Sequence, residues 1–319
     1  MTSIEFDDSK IILHKNESVL DGLIRSGHDV PNGCHAGVCQ SCIMASDDAT
    51  DISAAQEGLS DIQKELNYFL SCQCKPSTSI RVRRAKPLDK RVRGIVVGKS
   101  MIGKNIISLR IKAPLDYRPG QYVTLWKDDS LARTYSLASH PYYNDSLEFH
   151  IKYIRGGKFS TWVWDTLKVG DGIDIRGPMG MCVYAGDKDQ PLLMAALGTG
   201  LAPIYGILQD ALVKGHKASI DVVIAAKTSE DFYLVDKMLE LQQRNDQVNV
   251  KFLSQEESAG FAQHANVYDY CKETFAELKN YRVYICGAES FVRRLRKQCF
   301  MSGASMQDIT ADIFLAFGR

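Results

Sequence analysis

Five of the nine cysteines fall before residue 75, and four of those five have a spacing fit for a redox centre. In Cys34-His35-Ala36-Gly37-Val38-Cys39-Gln40-Ser41-Cys42, four residues separate the first two cysteines and two separate the next pair; another 29 lie between Cys42 and Cys72. Three thiolates on one short loop, met by a fourth from a distant segment, suit a 2Fe-2S cluster. The small residues of the loop let backbone N–H groups approach the inorganic sulfides. Two other readings stand beside this one. A zinc site could take Cys39, Cys42, Cys72 and Cys74, leaving Cys34 unexplained, and unconnected core cysteines would need no metal.

Further along, Arg133-Thr134-Tyr135-Ser136 lies on an expected strand, and Gly156-Gly157-Lys158-Phe159-Ser160-Thr161 follows another strand and opens a helix running through Leu167. Glycines there permit close approach of an anion, and the first helical N–H groups point outward at it. Taken alone, Tyr135 reads as a packed core aromatic. Gly198-Thr199-Gly200 ends a third expected strand, where a nucleotide can meet a helix N-terminus. The usual dinucleotide fingerprint is incomplete, because its third glycine would fall at Pro203. Cys286, in Tyr284-Ile285-Cys286-Gly287, reads on its own as a buried strand cysteine.

Positioning these residues takes several scaffolds. At roughly 150 residues per domain, 319 residues suit two domains, or three if one is small. Ile4 to Phe6 and Ile11 to Leu13 predict a hairpin around Asp7-Asp8-Ser9-Lys10, and Glu17 to Arg25 a helix with Val19, Leu20, Leu23 and Ile24 on one face. Short β-rich runs at 94–97, 106–111, 122–126, 132–137, 147–153 and 173–175 predict an antiparallel barrel. Beyond it, strands at 192–197, 220–225, 248–253 and 283–286 alternate with helices at 202–212, 232–242 and 267–278, predicting a doubly wound parallel sheet. The fold class is multidomain: α+β, β and α/β, divided as 1–84, a linker 85–90, 91–186 and 187–319.

The formal charge of +1 supplies no global basic field for nucleic acid or an anionic membrane. It hides an asymmetry. Residues 1–80 hold twelve Asp or Glu against five Lys or Arg, a net of −7, and Arg81 to Arg93 then carries seven basic residues against Asp89 alone. That basic joint either solvates a tether or holds the acidic module against its neighbour. Pro191 to Leu208 is uncharged over the length a membrane span needs, but Gly198, Gly200 and Pro203 interrupt it. An odd cysteine count and a start without basic and apolar leader regions predict a reduced, cytoplasmic protein, taken as a monomer. His14, His28, His216 and His264 read as surface or packing residues.

Over about the first 82 residues the chain resembles the 2Fe-2S ferredoxins of plants and bacteria, including Pro31-Asn32-Gly33 and Leu70-Ser71-Cys72-Gln73. Many members carry Arg and Gly where this chain has His35 and Gln40. The resemblance implies a β-grasp-like domain with Cys34, Cys39, Cys42 and Cys72 as cluster ligands. The Arg-x-Tyr-Ser and Gly-Gly-x-x-Ser motifs resemble the flavin-binding barrel of the ferredoxin-NADP reductase superfamily. That likeness implies FAD, with Arg133 on the pyrophosphate, Tyr135 along the isoalloxazine and ribityl, and Ser136 near N5. It also implies His150, Ile151 and Lys152 lining the flavin, and Gly157, Lys158, Phe159 and Ser160 holding phosphate. Gly198-Thr199-Gly200-Leu201-Ala202-Pro203 and Tyr284-Ile285-Cys286-Gly287 resemble the superfamily's nicotinamide motifs, which implies Cys286 and Gly287 at the nicotinamide, Cys286 beside C4. Asp312-Ile313-Phe314 resembles its terminal flavin-covering aromatic, here followed by five more residues.

A nicotinamide yields two electrons as hydride, a 2Fe-2S cluster takes one at a time, and a flavin converts between them. The order cluster, flavin, nicotinamide resembles the single-chain reductases of bacterial multicomponent oxygenases and of some sugar deoxygenation systems. It implies an NAD(P)H-dependent reductase serving a separate acceptor protein such as an oxygenase component. Asp231 or Glu230 would accept ribose hydroxyls and repel a 2′-phosphate, whereas Lys227 would attract it; the balance predicts NADH, with NADPH as the alternative. A free flavin reductase and a non-enzymatic redox sensor or binding subunit are the competing function classes.

Overall fold

Alternation and turn chemistry explain the first sheet of the computed structural model, which describes residues 2–47, 51–59, 63–64, 66–85, 91–257 and 260–315. Strand β1 (Ser3–Phe6) pairs antiparallel with β2 (Ser9–Ile12) across a two-residue turn, Asp7-Asp8, both at positive φ. That geometry matches the twist of a hairpin and is tolerated by Asp, so β2 starts two residues before the expected position. Helix α1 (Val19–Arg25) starts at Val19 because Ser18 caps it, its hydroxyl accepting from the Asp21 N–H. With β3 (Ile43–Ser46), β4 (Tyr68–Leu70) and β5 (Ile80–Arg84) the sheet order is β2-β1-β5-β3-β4, and β1 and β5 are parallel. Ile4, Phe6, Leu20, Leu23 and Phe69 fill the core beneath α1.

The second sheet contains β6 (Val92–Gly103), β7 (Ile106–Lys112), β8 (Tyr122–Asp128), β9 (Leu131–Ser136), β10 (Leu147–Lys152) and β11 (Gly172–Met179), with α2 (Lys158–Asp165) between the last two. Its order is β10-β7-β6-β11-β8-β9, all antiparallel. The edges β9 and β10 approach, and just beyond β9 the Ala138 N–H donates to Glu148 O at 2.9 Å, curling the sheet toward a barrel. Leu109, Ile111, Val123, Leu125 and Phe149 close its core, with Val163 of α2 against them.

The third sheet is wholly parallel in the order β15-β14-β13-β12-β16-β17, doubly wound as expected. In chain order its elements are β12 (Leu192–Leu197), α3 (Leu201–Val213), β13 (Ile220–Ala226), α4 (Val235–Arg244), β14 (Val248–Ser254), β15 (Ala262–His264), α5 (Val267–Thr274), β16 (Arg282–Ala288), α6 (Glu289–Met301) and β17 (Ile309–Phe314). Helix α4 begins three residues later than expected because Phe232 and Tyr233 are drawn into the core and Leu234 takes a left-handed φ of 57°. Pro203 is accommodated in the first turn of α3, where its missing N–H has no intrahelical partner to lose.

The basic joint divides its charges between the flanking sheets. Arg81, Arg83 and Arg84 pair with Glu5, Asp47 and Asp7, whereas Arg91 and Arg93 pair with Asp129 and Asp174. Each set neutralises its own side of the boundary; residues 86–90 of the expected linker lie outside the described residues. Among the described residues no helix is long and apolar enough to cross a membrane.

Candidate functional site

The cluster loop is stitched to the fourth cysteine by main-chain bonds. The Leu20 N–H of α1 donates to Ser71 O at 3.1 Å and the Val19 N–H to Cys74 O at 2.9 Å, so the helix start satisfies its free donors on the Cys72 segment. Ser71 in turn donates to Cys42 O through both its N–H, at 3.1 Å, and its hydroxyl, at 2.8 Å. Four thiols result, arranged as two pairs.

In the first pair the Cys34 sulfur accepts from the N–H groups of Ala36, Val38 and Cys39 at 3.3–3.4 Å, and Cys39 Sγ accepts from the Cys34 N–H and the Ser41 hydroxyl. In the second, Cys42 Sγ lies 3.2 Å from Cys72 Sγ. Each pair shares a proton: the Cys39 thiol and these N–H groups lower Cys34 while Cys34 raises Cys39, and the Cys42 thiol lowers Cys72 while Cys72 raises Cys42. Such sulfurs, ringed by N–H donors, fit a thiolate-bound anionic cluster. Among the described residues no three His, Cys, Asp or Glu side chains converge on one metal-ion position. Cys74 turns its thiol to Asp51 O at 3.8 Å, and burial pushes it up to about 12.

Behind this loop stand the strands of the Arg-x-Tyr-Ser motif. Thr134 of β9 abuts Gly33, where an added Cβ would sit 2.6 Å from Thr134 Cγ2, and Ser41 Oγ lies 3.0 Å from Thr124 Oγ1 of β8. Arg133 is half-buried, and burial lowers its pKa, a cost that a bound anion would offset. Tyr135 stacks at 5.6 Å on Phe159, which meets Trp162 at 5.2 Å. Gly156 is at φ 78° and Gly157 caps α2 without a side-chain bond, so the first turn keeps its amides for a ligand. Ser160 shapes this loop, accepting from the Ile154 N–H and donating to Gly157 O, each at 3.1 Å.

The other flavin-side candidates are placed as follows. Lys158 extends to Asp29 of the first domain at 2.7 Å. Along β10, strand alternation turns Ile151 into the barrel core, leaves Lys152 exposed, and buries His150 with Nδ1 3.1 Å from the Tyr233 hydroxyl. Phe314 is half-buried opposite Ala288 in the β16–β17 ladder.

At the third sheet the two glycine motifs touch. A Cβ on Gly200 would lie 2.0 Å from Cys286 O, so this approach of α3 to β16 admits only glycine. Gly287, at φ 146°, packs on Leu197 in the same way. Cys286 is fully buried, its sulfur 3.8 Å from that of Cys182, and burial followed by that neighbour pushes its thiol well up. Directly opposite Cys286 in the ladder lies Asp312, whose Oδ2 accepts from the Ser136 hydroxyl at 2.6 Å. Burial raises Asp312 to about 6, with the Ser136 bond pulling the other way. The tripeptide at 312–314 had suggested only its aromatic; the pairing of Asp312 with a residue 176 positions away has no local signal.

Asp231 is already engaged. Its carboxylate accepts from the N–H and hydroxyl of Thr228 at 3.2 and 3.0 Å, closing a helical turn. Glu230 pairs with Lys104, and Lys227 with Glu256 at 3.1 Å. The three charges expected to read the ribose are thus tied to protein partners.

Between these parts lies a cavity of about 1190 Å³. Cys34, Ala36 and Val38 form one wall, Tyr122 and Cys182 another, and Asp312 with Ile313 a third. All three domains contribute, whereas Arg133, Tyr135, Gly157, Gly200 and Cys286 stand outside its lining.

The three folds and the motifs each one carries define a nicotinamide- and flavin-dependent reductase joined to an iron–sulfur domain. Family models describe the same three parts: a 2Fe-2S iron-sulfur cluster binding domain at 4–77, an oxidoreductase FAD-binding domain at 94–184 and an oxidoreductase NAD-binding domain at 194–297. The chain carries these three domains in one polypeptide, and that set makes it an NAD(P)H-dependent oxidoreductase. It is 29% identical to reductase component 2 of the terephthalate 1,2-dioxygenase of Comamonas sp, over 93% of this chain and 92% of that one. It is 28% identical to the ferredoxin–NAD(P)(+) reductase component of the naphthalene 1,2-dioxygenase system of Pseudomonas putida, over 94% of both. The fold is shared with a cytochrome P450 reductase of Amycolatopsis, at a TM-score of 0.70, 21% identity and 99% coverage of each chain.

Proposed function

We propose that this chain takes hydride from NADH and delivers single electrons to a separate oxygenase component. Bound FAD supplies the exchange between two-electron and one-electron chemistry. The observation that carries the reading is the cavity whose walls come from the cluster loop, the flavin barrel and the nucleotide sheet at once. With boundaries at 1–84, 91–186 and 187–319, each domain contributes one redox function.

The roles of the residues follow from their surroundings. Cys34, Cys39, Cys42 and Cys72 hold the cluster; the N–H donors around Cys34 stabilise its thiolate charge. Arg133 and the first-turn amides that follow Gly157 in α2 hold the flavin pyrophosphate, the Gly157 N–H itself being spent on Ile154 O at 2.8 Å. Tyr135 is kept in place by Phe159 for the isoalloxazine, and Ser136 presents a hydroxyl oriented by Asp312. The abutting Gly198-Thr199-Gly200 and Cys286-Gly287 segments seat the nicotinamide, where positioning and the exclusion of water do most of the work of a hydride step. The fully buried Cys286 thiol stays neutral and backs this seat from behind Cys182.

Anaerobic titration with NADH tests the proposal. Flavin absorption should bleach first, followed by the EPR signal of a reduced 2Fe-2S cluster. Flavin reduction that leaves the cluster oxidised while an oxygenase is still reduced would remove the cluster from the path. Capture of partners by the reduced protein then identifies the acceptor.

A further inference from the structure

Gln40 sits between the cluster-loop cysteines Cys39 and Cys42 at φ 52°, a conformation glycine adopts freely and residues with a Cβ resist. Its side chain is engaged at both ends. The amide nitrogen donates to Gly58 O at 3.0 Å, and the amide oxygen accepts from Arg176 Nη2 at 2.7 Å. Arg176 Nη1 donates to the Gln40 carbonyl at 3.1 Å and lies 3.5 Å from the Cys39 carbonyl. One guanidinium on β11 thus grips the main chain next to two cluster thiols. From Arg176 the chain runs on to Cys182, on the far wall of the cavity.

The other contacts across this boundary are weaker in kind. Lys158–Asp29 is an exposed ion pair, of the sort that contributes little, and Ser41–Thr124 is a bond between neutral hydroxyls. The arginines of the joint pair within their own sides. The Arg176 fork combines charge assistance, a fixed planar geometry and half-burial. Only a side chain with both a donor and an acceptor at its tip can bridge Gly58 and Arg176 from position 40.

We propose that Arg176 and Gln40 form a clamp that fixes the cluster loop against the flavin barrel and thereby sets the rate of electron transfer from flavin to cluster. Both are positioning residues. The inference rests on the electron path proposed above, in which the loop must be held at a set distance from the flavin.

The test uses the full-length protein loaded with FAD and cluster, as Arg176→Met, Arg176→Lys and Gln40→Gly. In the oxidised state, hydrogen exchange at the amides of 39–42 should accelerate about tenfold for each charge-assisted bond lost. In a single turnover with NADH, flavin bleaching should keep its native rate in all three variants. Cluster reduction should slow by several-fold, because electron tunnelling falls off exponentially as the loop moves away from the flavin. Arg176→Lys retains the charge and loses the fork, so slowing equal to that of Arg176→Met, with an unchanged cluster midpoint potential, supports placement. Gln40→Gly should slow transfer without lowering Tm, because glycine relieves the left-handed backbone; a folding defect would lower both. Native cluster reduction in Arg176→Met overturns the proposal, as does slowing that appears only with a shifted potential. Failure of the underlying electron path is a separate result, namely a wild-type cluster that NADH never reduces.

Discussion

Replacing Gly200 by alanine places one methyl group where three main-chain atoms already stand. The new Cβ would lie 2.0 Å from Cys286 O, 2.5 Å from Cys286 C and 2.9 Å from Gly287 N. No side chain is available to rotate away, so the turn and the end of β16 must part by about an ångström. Overpacking of this kind costs about 1–3 kcal/mol. For a domain of this size that lowers Tm by roughly 3–15 °C. The displaced atoms flank the proposed nicotinamide seat, and a misplacement of about 1 Å costs up to about 10²-fold in a positioned reaction. Stopped-flow bleaching of the flavin by NADH should therefore fall steeply, while dithionite still develops the cluster EPR signal, since that domain is untouched. Gly198→Ala is the control. Gly198 has φ 56° and nothing within 4 Å of its added Cβ, so alanine there meets only a backbone penalty of about 1–2 kcal/mol, and Tm should fall less than in Gly200→Ala. A Gly200→Ala protein with native Tm and bleaching rate would falsify the close-approach argument, and equal damage from both substitutions would contradict its assignment to this contact.

Cys72→Ser should abolish the cluster EPR signal and acceptor reduction yet leave flavin bleaching intact, whereas Cys74→Ala should retain the cluster; loss of the cluster in the latter would restore the mixed set containing Cys74. Asp312 has a folded pKa of about 6 against an ordinary 3.8, so the folded state binds its proton more tightly, and stability declines as pH rises from about 4 through 6. Asp312→Asn should accordingly be the more stable protein above pH 6 and match wild type below pH 4 in thermal melts. Wild-type flavin bleaching should fall as pH drops through about 6, when protonated Asp312 loses its charge and holds the Ser136 hydroxyl more weakly; the asparagine variant should be flat, and a shared inflection would assign that titration elsewhere. Initial rates should give a larger kcat/KM with NADH than with NADPH, and the reverse order would assign Lys227 the dominant role at the ribose.

Much of this protein was legible from spacing. Cys34, Cys39, Cys42 and Cys72 are recognisable because three ligands share one short loop, and the strand–helix alternation after Leu192 is a local hydrophobic pattern. Boundaries moved where a cap or a special backbone angle intervened, at Ser18, Asp7-Asp8 and Leu234. The sequence by itself therefore determined the three domain types, their order and the residue classes that carry the redox chemistry. Tertiary structure alone decided which polar groups reach one another: Ser136 with Asp312, Arg176 with Gln40, Lys158 with Asp29 and Asp231 with Thr228. A charge or hydroxyl acts through space over a few ångströms, and even the i, i+3 reach of Asp231 to Thr228 forms only once the chain turns there. For the other three pairs, sheet register and domain packing bring together side chains more than a hundred residues apart, and no pattern along the chain records that meeting.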